Sequence, residues 1–250
     1  MRPVGACGLL EVRITRKAFR AASGDRLLVL RDFAFELGQG EVGAFVGPSG
    51  CGKTTMLRII AGLDTDYEGS IQRLGSGKLG MVFQEPRLLP WRTVEQNVRL
   101  AAPAAGDAEL ASLFEVLELT PHRLHYPGEL SLGLARRAAL ARAFAVNPDL
   151  LILDEPFVSL DDALAARLRD ELALLVDRRR VTTILVTHDV DEAARLADRL
   201  FLLAPRPTHV LADLQVRAPR ADRSEDVIAW VRTEVARSLG TVAPSIAPAP

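Results

Sequence analysis

Lys53 is one of three lysines, with Lys17 and Lys78, in a chain of 250 residues that carries 28 arginines. It belongs to the run Gly47-Pro48-Ser49-Gly50-Cys51-Gly52-Lys53-Thr54, which fits the spacing G-x-x-x-x-G-K-[ST] and is followed by Thr55. These residue types suit the holding of a polyphosphate. Glycines let backbone N–H groups turn inward around an anion, and the first turn of a following helix adds its partial positive charge. Lys53 supplies a point charge for the outer phosphates of ATP, and the Thr54 hydroxyl is a hard oxygen ligand for Mg2+. An ordinary glycine-rich turn has no need of a lysine at that place. Cys51 lies inside the loop and reads as structural.

A second group of candidates ends the apolar run Leu150-Leu151-Ile152-Leu153. Burial of that run on both faces leaves Asp154 and Glu155 at the carboxyl end of a strand, where open α/β sheets bind ligands. Asp154 is placed to hold Mg2+, usually through water, and Glu155 to polarise an attacking water. A solvated acidic turn is the plainer alternative, and it gives no account of the phosphate loop upstream. Two further polar residues follow apolar runs: Gln84 after Met81-Val82-Phe83, and His188 after Ile184-Leu185-Val186-Thr187. His122, His125 and His209 have no metal-ligand spacing and receive no role.

The elements that must position these groups follow from periodicity. Residues 9–14 alternate as a strand, and 26–37 form a second. Residues 41–46 are a short apolar strand ending at Gly47, and 53–61 the helix after the loop. Residues 70–74 and 78–83 read as strands. From 93 to 146 the pattern turns helical, with segments at 93–101, 108–119 and 131–146. Strands return at 150–153, 183–186 and 200–203, separated by helices at 162–177 and 190–197, with a terminal helix over 221–239. Alternation of strands and helices implies an α/β fold whose core sheet is mostly parallel. An antiparallel β part lies at its N-terminal side, and the helical stretch over about 86–147 is an insertion. The expected organisation is one domain over 1–240 and a flexible tail over 241–250.

Composition narrows the classes of function. The net charge is −1, with 31 basic against 32 acidic residues, which excludes a nucleic-acid binder working by bulk electrostatics. Hydrophobic residues make up 48% and charged residues 25%, which excludes an intrinsically disordered chain. Cys7 and Cys51 are too few for a disulfide framework and fit a reducing, cytoplasmic compartment. No apolar run approaches the roughly 18 residues needed to span a bilayer.

In order and spacing, Gln84 in GMVFQEPRLLPWRTVEQNV, Ser159-Leu160-Asp161 after Pro156, and His188 in LVTHDVDEAARLAD join GPSGCGKTT and LLILDEPF in a set that resembles the ATP-binding subunits of ABC transporters. The resemblance covers about residues 12–211. Within that superfamily the chain is similar to the nitrate/sulfonate/taurine importer group, which carries MVFQ-x-x-x-LLPW and DEPF. The resemblance implies a P-loop NTPase fold and Mg·ATP hydrolysis. It also implies two copies sandwiching two ATP molecules head to tail, docked on the inner face of the cell membrane against a permease fed by a solute-binding protein. It implies that Gln84 touches Mg2+ and the attacking water, that His188 contacts the γ-phosphate, and that Asp161 belongs to the loop facing the second copy. Phe19 falls where the family places an aromatic over adenine; a core contact is the other reading.

One stretch departs from the family. Where the signature reads roughly LSGGQ, this chain has Leu130-Ser131-Leu132-Gly133-Leu134. Ser131 and Gly133 keep a hydroxyl and a helix start for the partner copy's γ-phosphate, whereas Leu132 adds bulk there, so weakened activation across the dimer is expected. An ATP-dependent conformational clamp is therefore a second reading. A small-molecule kinase is a third, and it has no use for Gln84, Ser159–Asp161 and His188 together. Leu88-Leu89-Pro90-Trp91 is an apolar cluster that either docks a permease helix or packs the insertion onto the core.

Overall fold

The computed structural model describes residues 9–20, 24, 26–73 and 77–241. Its first part runs β1 (Leu9–Arg20), β2 (Arg26–Gly38), β3 (Val42–Val46), α1 (Lys53–Ile60), β4 (Glu68–Gln72) and β5 (Leu79–Val82). Three helices follow, α2 (Val94–Ala101), α3 (Asp107–Val116) and α4 (Leu132–Ala145). The chain then returns through β6 (Leu150–Asp154), α5 (Asp162–Arg179), β7 (Thr182–Thr187), α6 (Val190–Leu196), β8 (Arg199–Leu203), β9 (Val210–Gln215) and α7 (Glu225–Thr241).

The central sheet has the order β5-β6-β7-β3-β8-β9, parallel except for β9. Its inner strands β3, β6 and β7 are buried on both faces: β3 and the run Leu150–Leu153 are continuously apolar, and the three threonines of β7 are buried with their hydroxyls hydrogen-bonded to Gly38, Val181 and Glu192. Side chains alternate across the sheet. Val42, Ala44, Leu151, Leu153 and Leu185 enter a core shared with most of the helices, while Phe45, Ile152, Ile184 and Val186 enter a second core with α1. That second core also takes Phe33 and Phe35 of the separate antiparallel sheet β2-β1-β4, and Phe45 stacks on Phe201 at 4.7 Å. Of the helices between β5 and β6, α2 begins with the reciprocal Thr93–Gln96 capping box and α4 with the Ser131 cap. This is the α/β, mostly parallel architecture with an N-terminal antiparallel part and inserted helices that the periodicity predicts.

Three elements differ from the sequence reading. β1 runs on to Arg20 instead of ending at Ile14, because an irregularity between Ile14 and Arg16 in its pairing with β4 shifts the alternation, so that burial passes from Leu10, Val12 and Ile14 to Lys17. Its ammonium is almost fully buried and is held by Asp64 Oδ1 at 2.9 Å and the Asp66 carbonyl at 2.6 Å. β9 is not anticipated at all: it is an edge strand, with Asp213 and Gln215 exposed toward solvent. The terminal helix starts at Glu225, since Arg220–Asp222 form a 3-10 turn. Leu74, Cys7 and the expected tail, from residue 242 on, lie outside the described residues. Among the described residues no helix is long and apolar enough to cross a membrane.

Candidate functional site

The parallel order β5-β6-β7-β3 brings four carboxyl ends side by side, and the residues that follow them are Gln84, Glu155, His188 and the Gly47–Thr54 loop. A cleft of about 460 Å³ opens there. Ser49, Gly50, Gly52, Lys53, Thr54 and Thr55 form its floor, Gln84 and Glu155 stand among its walls, and Phe19, Leu27 and Val29 give it an apolar side. Gly47 and Pro48 bound the loop rather than the cleft, and Cys51 is buried behind it. Gly52 precedes α1 with φ 127° and caps it with no side chain, so the first amides of the helix stay open to an anion. A Cβ on Gly52 would stand 2.8 Å from Val29 Cγ1, so both conformation and space call for glycine. Lys53 is 6% exposed, and its ammonium donates to the carbonyls of Gly47 at 2.8 Å and Pro48 at 3.0 Å.

Across the cleft, the Thr54 hydroxyl donates to Asp154 Oδ2 at 3.3 Å. Burial pushes the Asp154 carboxyl above its ordinary range, and the bond from Thr54 and the nearby Lys53 only partly oppose this. A buried carboxylate beside a hydroxyl, both hard oxygen donors, is a setting that a divalent cation relieves. Among the described residues no group of three or more His, Cys, Asp or Glu is arranged to hold a metal ion. The donor set therefore fits Mg2+ held largely by phosphate and water, rather than a metal caged by protein alone.

Glu155 has φ +47°, a left-handed backbone rare for a non-glycine residue. The conformation is fixed from both sides. Its N–H donates to the Val186 carbonyl at 2.9 Å, and its carbonyl accepts from Arg136 Nη1 at 3.3 Å. The same guanidinium donates to the carbonyls of Pro156 and Val158. His188 Nδ1 lies 3.5 Å from Glu155 Oε2, beyond a good hydrogen bond, on a ring that is largely exposed. Six residues further along α4, Arg142 donates to the carbonyls of Arg87 at 2.7 Å and Pro86 at 2.9 Å. One helix thus grips both the loop after Gln84 and the loop after Glu155. Sequence reasoning misses Arg136 and Arg142, because nothing in an Ala/Leu/Arg-rich helix says which arginines turn inward.

A sequence profile of the family described as "ABC transporter" matches residues 30–158 of the chain. The aliphatic sulfonates import ATP-binding protein SsuB 2 of Burkholderia lata is 43% identical over 239 residues, which cover 92% of this chain and 86% of that protein. The chain belongs to the ABC transporter family. SsuB 2 of Pseudomonas syringae pv. tomato is 41% identical, covering 92% of this chain and 97% of its own. Among solved structures, a dimeric post-hydrolysis state of the ATP-binding cassette MJ0796 bound to ADP and Pi matches with a TM-score of 0.74. It is 28% identical and covers 84% of this chain and all of the other. As a member of the family, this ABC protein is an ATP-binding ATPase.

Asp154 and His188 stand beside the cleft of this ABC ATPase through Thr54 and Glu155, whereas Ser131, Gly133 and Asp161 belong to the starts of α4 and α5 and do not line it. Ser131 is the N-cap of α4, its hydroxyl oxygen accepting from the Leu134 N–H at 3.3 Å. Gly133 packs on α5: a Cβ there would stand 2.5 Å from Leu164 Cδ2. Asp161 caps α5 by accepting from the Leu164 N–H at 3.0 Å. Leu132 is exposed on the same end of α4. Phe19 is 42% exposed, with the Lys17 ammonium 4.5 Å from its ring centroid, so it is a cleft-side aromatic and not a core contact. In the Leu88–Trp91 cluster, Leu88 packs on the core while Trp91 is 70% exposed. The intervening loop is stiff, because the buried Asn97 side chain accepts from the Leu89 N–H and donates to the carbonyls of Leu89, Arg92 and Thr93.

Proposed function

We propose that this chain is the ATP-hydrolysing subunit of an importer for aliphatic sulfonates or a closely related small anion, working as two copies on a membrane permease at the inner face of the cell membrane. The observation that carries the solute and the partner is the 43% identity over 92% of the chain to a protein named for aliphatic sulfonate import. A solute-binding protein would feed the permease. The dimeric state of the MJ0796 cassette supports pairing of two copies.

Each residue then has a role consistent with its place. The open amides at the start of α1 and the Lys53 ammonium take the phosphates, and Phe19, with Leu27 and Val29 beside it, faces the base. Thr54, Asp154 and Gln84 hold Mg2+, which when bound neutralises charge on the outer phosphates. Glu155 accepts a proton as a water oxygen bonds to the γ-phosphorus and the bond to the β-phosphate oxygen breaks. His188 positions Glu155 and meets the γ-phosphate. Ser131, the α4 amides at Gly133, and Asp161 point away from this copy's cleft, so the nucleotide they serve is that of the second copy. The exposed Trp91 offers an aromatic anchor to the permease.

Replacing Glu155 with glutamine tests this reading. The variant keeps the shape and loses the base, so it should bind Mg·ATP, accumulate as an ATP-bound dimer, and lose turnover by roughly 10²-fold or more. Wild-type turnover in that variant, with the permease present, would refute the assignment.

A further inference from the structure

The turn between β8 and β9 carries Arg206, a residue to which sequence reasoning gives no role, yet its side chain lines the cleft. Its Nε donates to the Gly50 carbonyl at 2.5 Å, and two residues later the Thr208 hydroxyl donates to the Cys51 carbonyl. Thr208 also ties the turn to β2: its N–H donates to the Val29 carbonyl at 2.8 Å, and its carbonyl accepts from the Arg31 N–H at 3.1 Å. The turn is thus fastened at once to the phosphate loop and to the strand whose Val29 and Leu27 form the apolar end of the cleft.

Charge then singles the residue out. Among the described lining residues only Lys53 and Arg206 are cationic, and Lys53 already bonds two carbonyls of its own loop. Arg206 has no carboxylate partner among the described residues, and its Nη1 and Nη2 make no hydrogen bond there. A Cβ placed on Gly50 would stand 3.3 Å from Nη2, which puts the free edge of the guanidinium over the loop. A planar fork with its stem anchored and two donors unengaged is preorganised for a phosphate.

We propose that Arg206 is a second cationic ligand of the nucleotide, taking the phosphate nearest the ribose with its terminal amino groups while Nε stays on Gly50. The placement follows from the turn's attachment to β2, whose Leu27 and Val29 give the cleft its apolar side. The proposal rests on the reading of this cleft as the ATP site. ATP and ADP share that phosphate, so Arg206 serves both equally, unlike a ligand of the terminal phosphate.

Calorimetric titration of the full chain with Mg·ATP and Mg·ADP tests it, using Arg206→Gln, Arg206→Lys and, in parallel, Lys53→Ala. Glutamine keeps an N–H donor for the Gly50 carbonyl and removes the charge; lysine keeps the charge and loses the fork. The glutamine variant is expected to weaken both nucleotides by the same factor, about tenfold, with the lysine variant in between and the nucleotide-free melting temperature unchanged. The deficit should shrink as salt rises, because screening weakens the wild-type contact. Wild-type affinity in the glutamine variant overturns the proposal, as does a loss confined to Mg·ATP. So does a loss matched by a fall in melting temperature, which would make Arg206 a prop for the loop alone. Failure of the wild type to bind Mg·ATP, or wild-type binding by Lys53→Ala, overturns the cleft reading and the proposal with it.

Discussion

Helices α1 and α4 both begin with glycine and hydroxyl residues, and they treat their first amides in opposite ways. α1 follows Gly52, which has no side chain to fold back, so its N-terminus stays open toward a cleft that already contains Lys53 and Thr54. α4 follows Ser131, whose hydroxyl is engaged with the Leu134 N–H, and it opens onto the surface with Leu132 exposed beside it. The first faces a cleft of its own chain. The second faces away from that cleft, and on the proposed reading it meets the nucleotide of a second copy. The 3.3 Å Ser131–Leu134 bond is long enough to be exchanged for a better acceptor when a phosphate arrives. The difference teaches that a helix start becomes an anion site only when what lies in front of it supplies the rest of the chemistry.

The largest effect expected from this contrast is the loss of nucleotide binding in Lys53→Ala. Each charge-assisted bond removed costs about 2 kcal/mol, or a factor of roughly 30 in affinity. Ser131→Ala should leave the affinity of the single copy unchanged, and equal losses in the two variants by calorimetry would erase the distinction between the helices. Next comes Arg136→Ala, which takes the guanidinium away from the carbonyls of Glu155, Pro156 and Val158. It should lower unfolding stability by about 3 kcal/mol in denaturant titration and cut turnover more than nucleotide affinity. A turnover that survives would detach α4 from the Glu155 loop.

Restoring the family's pattern with Leu132→Gly and Leu134→Gln is expected to raise ATP-driven dimerisation and turnover several-fold. Single-copy affinity should stay fixed, because neither residue lines the cleft. Unchanged turnover with the permease present would show that exposed Leu132 stands clear of the partner's phosphate. The smallest effect on the isolated chain is that of Trp91→Ala. At 70% exposure its loss should shift stability by less than about 0.5 kcal/mol while weakening co-purification with a membrane partner. A lowered melting temperature with the partner retained would make it a packing residue.

Much of this was legible in the chain because the physics is local. A strand buried on both faces is largely apolar, so β3, β6 and the Ile184–Val186 centre of β7 stand out, and the residues that end these runs mark the edge where ligands bind. Lys17 was not legible. A lysine in a strand normally faces water; the irregularity between Ile14 and Arg16 turns this one inward, and the carboxylate of Asp64, 47 residues away, makes its buried ammonium tolerable. β9 escaped for the reverse reason: an exposed edge strand has no apolar face to betray it.

The sequence by itself determined the chemistry. The run Gly47–Thr54 carries the glycines, lysine and hydroxyl that suit a phosphate, and Asp154 and Glu155 offer hard oxygen ligands and a proton acceptor, because these capacities belong to the side chains and to a few bonds of backbone. Which groups share one cleft was decided by tertiary structure. Strand order alone sets Gln84, Glu155 and the phosphate loop side by side across gaps of many tens of residues. The same packing turned Ser131 and Asp161 outward and fixed Glu155 in its left-handed backbone through Arg136. It also carried Arg206 to the rim of the phosphate loop. Such placements depend on contacts between segments distant in the chain, and the free energy that selects them is that of burying the whole sheet, which no local stretch of sequence contains.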